Sequence, residues 1–197
     1  MKRAHAMTAL ALVLAGLVLT AGASAIQEKA AEAPPKAAET PEKFSANLMT
    51  SAATGTRSTR LNMTVERWAT AEEIAGFKKL LEESGPEALY NVLRATKMGS
   101  IKTTQSYVYN IFLAYSVQTE EGRTVKLITE RPVFFGEAVK DSKSLEYIYS
   151  AIEMTLNAKG KGSGKILPTA KIFIGKDGQV DVDTQGQPQT LMNAKKG

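Results

Sequence analysis

Apolar and polar residues alternate with a period of two along most of this chain, starting at Phe44. Phe44, Ala46 and Leu48 are separated by Ser45 and Asn47. After Ala53-Thr54-Gly55-Thr56, Leu61, Met63 and Val65 are separated by Asn62 and Thr64. Successive side chains of an extended chain point to opposite faces, so the pattern predicts two half-buried strands joined as a hairpin. At Thr70 the period changes. Thr70-Ala-Glu-Glu73 has the composition of a capping box, and Ile74, Phe77, Leu80 and Leu81 then fall on one helical stripe. Gly85 suits a left-handed helix end and Pro86 the first turn of a following helix, whose face is Leu89, Val92 and Leu93. A pair of short helices is predicted near 71–97.

Strand-like alternation then resumes. Tyr107, Tyr109, Ile111, Leu113, Tyr115 and Val117 share one face of a long strand, which Glu120-Glu121-Gly122 turns into a second over 124–130. Arg131-Pro132 interrupts, because proline lacks the donor a ladder needs, and a strand follows over 133–139. Ile148, Ile152, Met154 and Leu156 fit alternation better than a helix over 145–157. Gly160 to Gly164 reads as a loop into a strand over 166–174, Lys176-Asp177-Gly178 as a hairpin turn into 179–183, and the segment from Thr184 as a polar, Gln-rich tail. The expected fold is α+β: an antiparallel sheet of about seven or eight strands, as a curled sheet, sandwich or barrel, with the helical pair inserted.

The chain before Phe44 has a different texture. Lys2 and Arg3 precede an uncharged apolar run from Met7 to Leu19, which ends in small residues, with Ala23 and Ala25 at the −3 and −1 positions of a signal-peptidase site. The run is shorter than the roughly 20 residues a membrane span needs. Residues 1–25 are therefore expected to be a cleaved signal peptide, residues 26–43 an Ala/Pro/charged linker, and residues 44–197 one β-rich domain. No later segment approaches a hydrophobic span, so the mature chain is expected to lack an integral membrane segment and to be periplasmic or secreted.

Composition then restricts the chemistry. There is no cysteine, and the single histidine, His5, lies in the signal segment. The mature chain thus lacks Ser-His-Asp and Cys-His pairs and the usual zinc ligands. Removing Lys2 and Arg3 lowers the formal charge from +5 to +3, too small an excess to indicate a nucleic-acid partner. The carboxylates Glu66, Glu130, Asp141 and Glu153 stand in no signature that pairs two across a cleft, and they read as solvated strand charges. Gly160-Lys-Gly-Ser-Gly-Lys165 misses the spacing of a phosphate loop and precedes a strand rather than a helix. Asp177, Asp181 and Asp183 lack the ligand order of a calcium loop. No cofactor or metal is expected, and no enzymatic activity.

Tyr107, Tyr109 and Tyr115 are the candidate ligand-binding residues, as the lining of a cavity for an apolar or aromatic ligand. The plainer reading, which we weigh above it, packs them in the core beneath the helices. Trp68 is expected to pack at the helix start. The runs Val65–Glu73, Thr129–Val133 and Gly160–Gly164 ahead of Leu167-Pro-Thr-Ala-Lys171 resemble a group of small secreted bacterial proteins with no known activity. The resemblance implies an exported bacterial domain and transfers no catalytic residue. The expectation is an exported, non-enzymatic domain that binds a small molecule or an envelope protein. The alternatives are an envelope-associated structural module without a ligand cavity and a carboxylate-based hydrolase.

Overall fold

The computed structural model describes residues 41–52, 55–104, 108–120, 122–129, 147–176 and 178–197. Its elements, in chain order, are β1 (Glu42–Ala52), β2 (Gly55–Val65), α1 (Ala71–Arg94), β3 (Gly99–Thr103), β4 (Val108–Thr119), β5 (Gly122–Thr129), β6 (Tyr149–Leu156), β7 (Lys161–Ile174), β8 (Val180–Thr184) and β9 (Gln189–Lys196). Each strand from β1 to β6 pairs antiparallel with the next, β6 pairs with β7, β7 with β9, and β9 returns to β1. The sheet is thereby closed into an eight-stranded barrel, with β8 outside it, paired to the far end of β7. Of the three expected forms the sheet takes the barrel, which removes the unpaired edges an open sheet exposes.

Alternation supplies the barrel interior. Phe44, Ala46 and Leu48 of β1 face Leu61 and Met63 of β2 inside, with Ile101, Val125, Leu127, Ile152, Met154 and Leu191 completing the filling, all buried. The strands depart from the sequence reading at four places. The Gly160–Gly164 segment is not a loop. The turn is Asn157–Gly160, where the Asn157 side chain accepts from the amides of Lys159 and Lys161, and β7 begins at Lys161. Glycine is needed inside β7 because a Cβ on Gly162 would lie 1.8 Å from the Thr155 carbonyl oxygen. The Gln-rich tail is not a tail but β9, which closes the ring. Its two inward residues, Leu191 and Ala194, are three apart because the ladder shifts register there and Asn193 takes φ 54°. That spacing hides the strand from a period-two reading. β3, where the sequence suggests no element, carries one apolar residue, Ile101, inside. β1 also takes in Glu42 and Lys43, the last two residues of the expected linker.

The expected helical pair is a single helical element, α1, broken in direction at Gly85, whose φ of 79° and ψ of −178° leave helical space just before Pro86. Its start is the capping box: Thr70 Oγ1 accepts from the Glu73 amide at 3.1 Å, and Glu73 Oε2 accepts from the Thr70 amide at 3.0 Å. α1 packs on β4 and β7, with Leu89 and Leu93 fully buried and Ile74, Phe77, Leu80 and Leu81 half-buried. Together with β8 it gives the barrel an outer layer. The strand expected over 133–139 and the break at Arg131-Pro132 lie outside the described residues.

Candidate functional site

A polar clasp lies at the barrel end where β1 begins. The Glu42 carboxylate accepts from Trp68 Nε1 at 3.0 Å, Arg123 Nη1 at 2.8 Å and Lys196 Nζ at 2.9 Å. Arg123 Nε donates to Ser116 Oγ at 3.0 Å, and its guanidinium lies 4.5 Å from the centroid of the Trp68 ring. The side chains of Glu42 and Arg123 are only 14% and 19% exposed. Burial pushes the Glu42 pKa up, but the hydrogen bonds from Arg123 and Lys196 outweigh it and hold the carboxyl below its ordinary range. The sequence reading places Trp68 in packing, and here it also donates to a charge. Glu42 and Arg123 carry no motif, 81 residues apart, and only barrel closure brings them together. Every polar end of this clasp is engaged, which marks it as a structural lock.

A second network runs along the outer wall. Tyr115, Lys126, Glu153 and Lys165 stand opposite one another in turn across β4, β5, β6 and β7. Lys126 Nζ reaches Asp181 Oδ1 of β8 at 2.8 Å and Glu153 Oε1 at 3.3 Å, and Lys165 Nζ reaches Glu153 Oε2 at 2.8 Å. Tyr115 donates to the Val180 carbonyl at 3.0 Å, and burial pushes its pKa up. These contacts hold β8 against the barrel.

Of the candidate tyrosines, Tyr109 and Tyr115 point to opposite faces of β4. Tyr107 lies outside the described residues. Tyr109 stands opposite Ile101 and faces the barrel interior, whereas Tyr115 faces outward under β8. A register shift between Ile111 and Leu113 exchanges the faces of β4 partway along. The two weighed carboxylates that are described, Glu66 and Glu153, are likewise apart. Glu153 belongs to the outer network, Glu66 pairs with Lys97 at 3.6 Å, and Glu130 and Asp141 lie outside the described residues. Asp181 is held by Lys126, and Asp183 accepts from Tyr147 at 3.0 Å. Asp177 also lies outside the described residues.

A third feature is a groove, and it is not saturated. The kink of α1 stands away from the far end of β7 and leaves a cavity of about 280 Å³ lined by Leu81, Glu82, Pro86, Leu89, Tyr149, Lys171, Ile172, Phe173 and Ile174. Its lining is mainly apolar, with Glu82 and Lys171 as the charged members. Tyr149 is 3% exposed, its ring meets Tyr90 edge-on at 6.1 Å, and its hydroxyl has no hydrogen-bond partner among the described residues. Burial first, and then Tyr90, push the Tyr149 pKa up, so the hydroxyl stays neutral. An unpaired buried hydroxyl costs roughly 1–3 kcal/mol. The sequence signal was slight, a tyrosine on an alternating strand and a Gly-Pro step in a helix, with nothing to join them. Comparisons with the models of protein families, with curated proteins and with solved structures find no match to this chain.

Proposed function

We propose that this chain is an exported, non-enzymatic binding domain whose ligand seats in the groove between the α1 kink and the end of β7. The observation that carries this reading is the Tyr149 hydroxyl, buried at an apolar cavity without a partner among the described residues. The cavity is near the lower end of the size range of small-molecule sites. It suits a compact amphiphile, with an apolar body against Leu89 and Ile172 and a polar end that gives Tyr149 the hydrogen bond it lacks. Export is supported by Lys2-Arg3, the apolar run from Met7 to Leu19 and the small residues Ala23 and Ala25. The absence of cysteine, and of histidine after His5, supports binding over nucleophilic chemistry.

The test is a ligand panel read by thermal shift, using short-chain fatty acids, simple phenols and capped apolar dipeptides. A ligand bound to the native state raises the melting temperature. Leu81→Trp fills the groove and abolishes the shift. Tyr149→Phe moves two measurements in opposite directions: the ligand-free protein gains about 1 kcal/mol, because an unpaired hydroxyl is gone, while affinity for the hit falls about tenfold. A panel without hits, or a hit unaffected by Leu81→Trp, sinks the proposal and favours the structural-module alternative.

A further inference from the structure

The basic residues of this domain divide by location. Arg67, Lys97, Arg123, Lys126, Lys165 and Lys196 each reach a carboxylate. Lys43, Arg60, Lys102, Lys161 and Lys195 have no acidic partner among the described residues, and all five are exposed on one stretch of barrel wall. The ladder register aligns them. Lys102 of β3 stands opposite Asn62 of β2, Asn62 opposite Ser45 of β1, Ser45 opposite Lys195 of β9, and Lys195 opposite Lys161 of β7. Arg60 lies along this row, donating to Ser45 Oγ at 3.2 Å and Asn62 Oδ1 at 3.4 Å. β1, β2, β3 and β9 together contain one acidic residue, Glu42, whose carboxylate is taken up by the clasp at the barrel end. Like charges set directly opposite across a strand pair repel, so the Lys161–Lys195 pair is unfavourable until an anion lies over it.

We propose that this wall is a docking surface for a linear polysaccharide bearing carboxylate groups. Adjacent strands are about 4.8 Å apart, so the row presents cations at Lys195 and Lys161 and again about 14 Å away at Lys102. Between them Asn62 is exposed, and Thr64 and Ser100 on the next row are half-buried, so amide and hydroxyl groups stand ready to pair with sugar hydroxyls, while the buried Ser45 hydroxyl holds Arg60 in place. A bilayer surface is a poorer fit, because interfacial binding needs a cluster of apolar side chains to enter it and the exposed ones here are two single residues on different strands, Val108 opposite Lys102 and Met192 opposite Asn47. A single-stranded nucleic acid is poorer too, since it stacks its bases on aromatic rings and none faces outward from these strands. The wall and the groove share no residue.

The experiment measures binding of the intact protein to polygalacturonate in about 50 mM salt, where exposed charges are weakly screened. Uncharged dextran, phosphatidylglycerol/phosphatidylcholine vesicles and mixed-sequence DNA serve as the other arms. Polygalacturonate is bound, dextran is not, and vesicles and DNA bind more weakly. Raising the salt to about 300 mM lowers the affinity by about tenfold. The triple variant Lys102→Gln/Lys161→Gln/Lys195→Gln loses about tenfold or more, whereas Lys79→Gln/Lys97→Gln/Lys176→Gln, with the same net charge, stays within about twofold. Leu81→Trp leaves this binding unchanged. No retention at low salt, equal losses in the two triples, or tighter binding to vesicles or DNA overturns the proposal.

Discussion

Glu42 ties three segments that are far apart in the chain: its own strand β1, Arg123 of β5 and Lys196 of β9. Removing its charge leaves two cations facing one another in a mostly buried site, which is far costlier than losing an exposed ion pair. Glu42→Gln is expected to destabilise the domain by about 2–3 kcal/mol at neutral pH, read by denaturant unfolding. The pH dependence follows from the sign of the shift. A carboxyl whose folded pKa lies below its unfolded value near 4.3 adds stability above that value and loses it as pH falls through the folded pKa. Glu73 and Asp181 are also held low, since Arg67 and Lys126 respectively outweigh the burial that raises them. The melting temperature is therefore expected to drop below about pH 4.5, and less steeply in Glu42→Gln. A variant that melts like the parent at both ends of the pH range would remove the clasp from this account.

Glycines decide the elements in opposite ways. Gly76 lies within α1 with nothing near the position of an added Cβ, whereas Gly162 lies within β7 against the backbone of β6. Gly76→Ala is expected to stabilise the protein by about 0.5–1 kcal/mol, since glycine in a helix costs conformational entropy. Gly162→Ala must push β6 and β7 apart and is expected to cost about 3 kcal/mol or to prevent folding. Soluble yield and denaturant unfolding check both. The start of α1 was legible because Thr70 and Glu73 act within one turn, and the kink because Gly85-Pro86 changes direction through the backbone alone. Whether that step makes two helices or one bent element depends on the barrel wall beneath it. β3 and the early part of β7 escaped for a related reason. With Ile101 alone in one and Gly162 and Gly164 in the other, strand identity there comes from neighbouring ladders and not from apolar content.

At the scale of the molecule, closure is the governing event. β9 pairs with both β1 and β7, and without it two long edges are exposed and the inner face is opened to water. A chain ending at Pro188 is expected to lose cooperative thermal unfolding and near-ultraviolet dichroism, and retention of either would show that the ring is dispensable. Closure also sorts charge and site. A formal excess of +5 on the whole chain says nothing of a basic wall, because the described carboxylates that offset the total are gathered mostly on other elements. The clasp, the face change within β4 and the groove over Tyr149 likewise join residues that no short window contains. Period-two and helical spacing, a capping box and turn residues act through nearest neighbours, and so the strand-rich α+β character, the β1–β2 hairpin and the capped start of α1 could be read directly from the residues. Register, bulges and the pairing of β9 with β1 depend on which distant segments lie side by side, an outcome of burial summed over the whole chain and not of any segment's own preference.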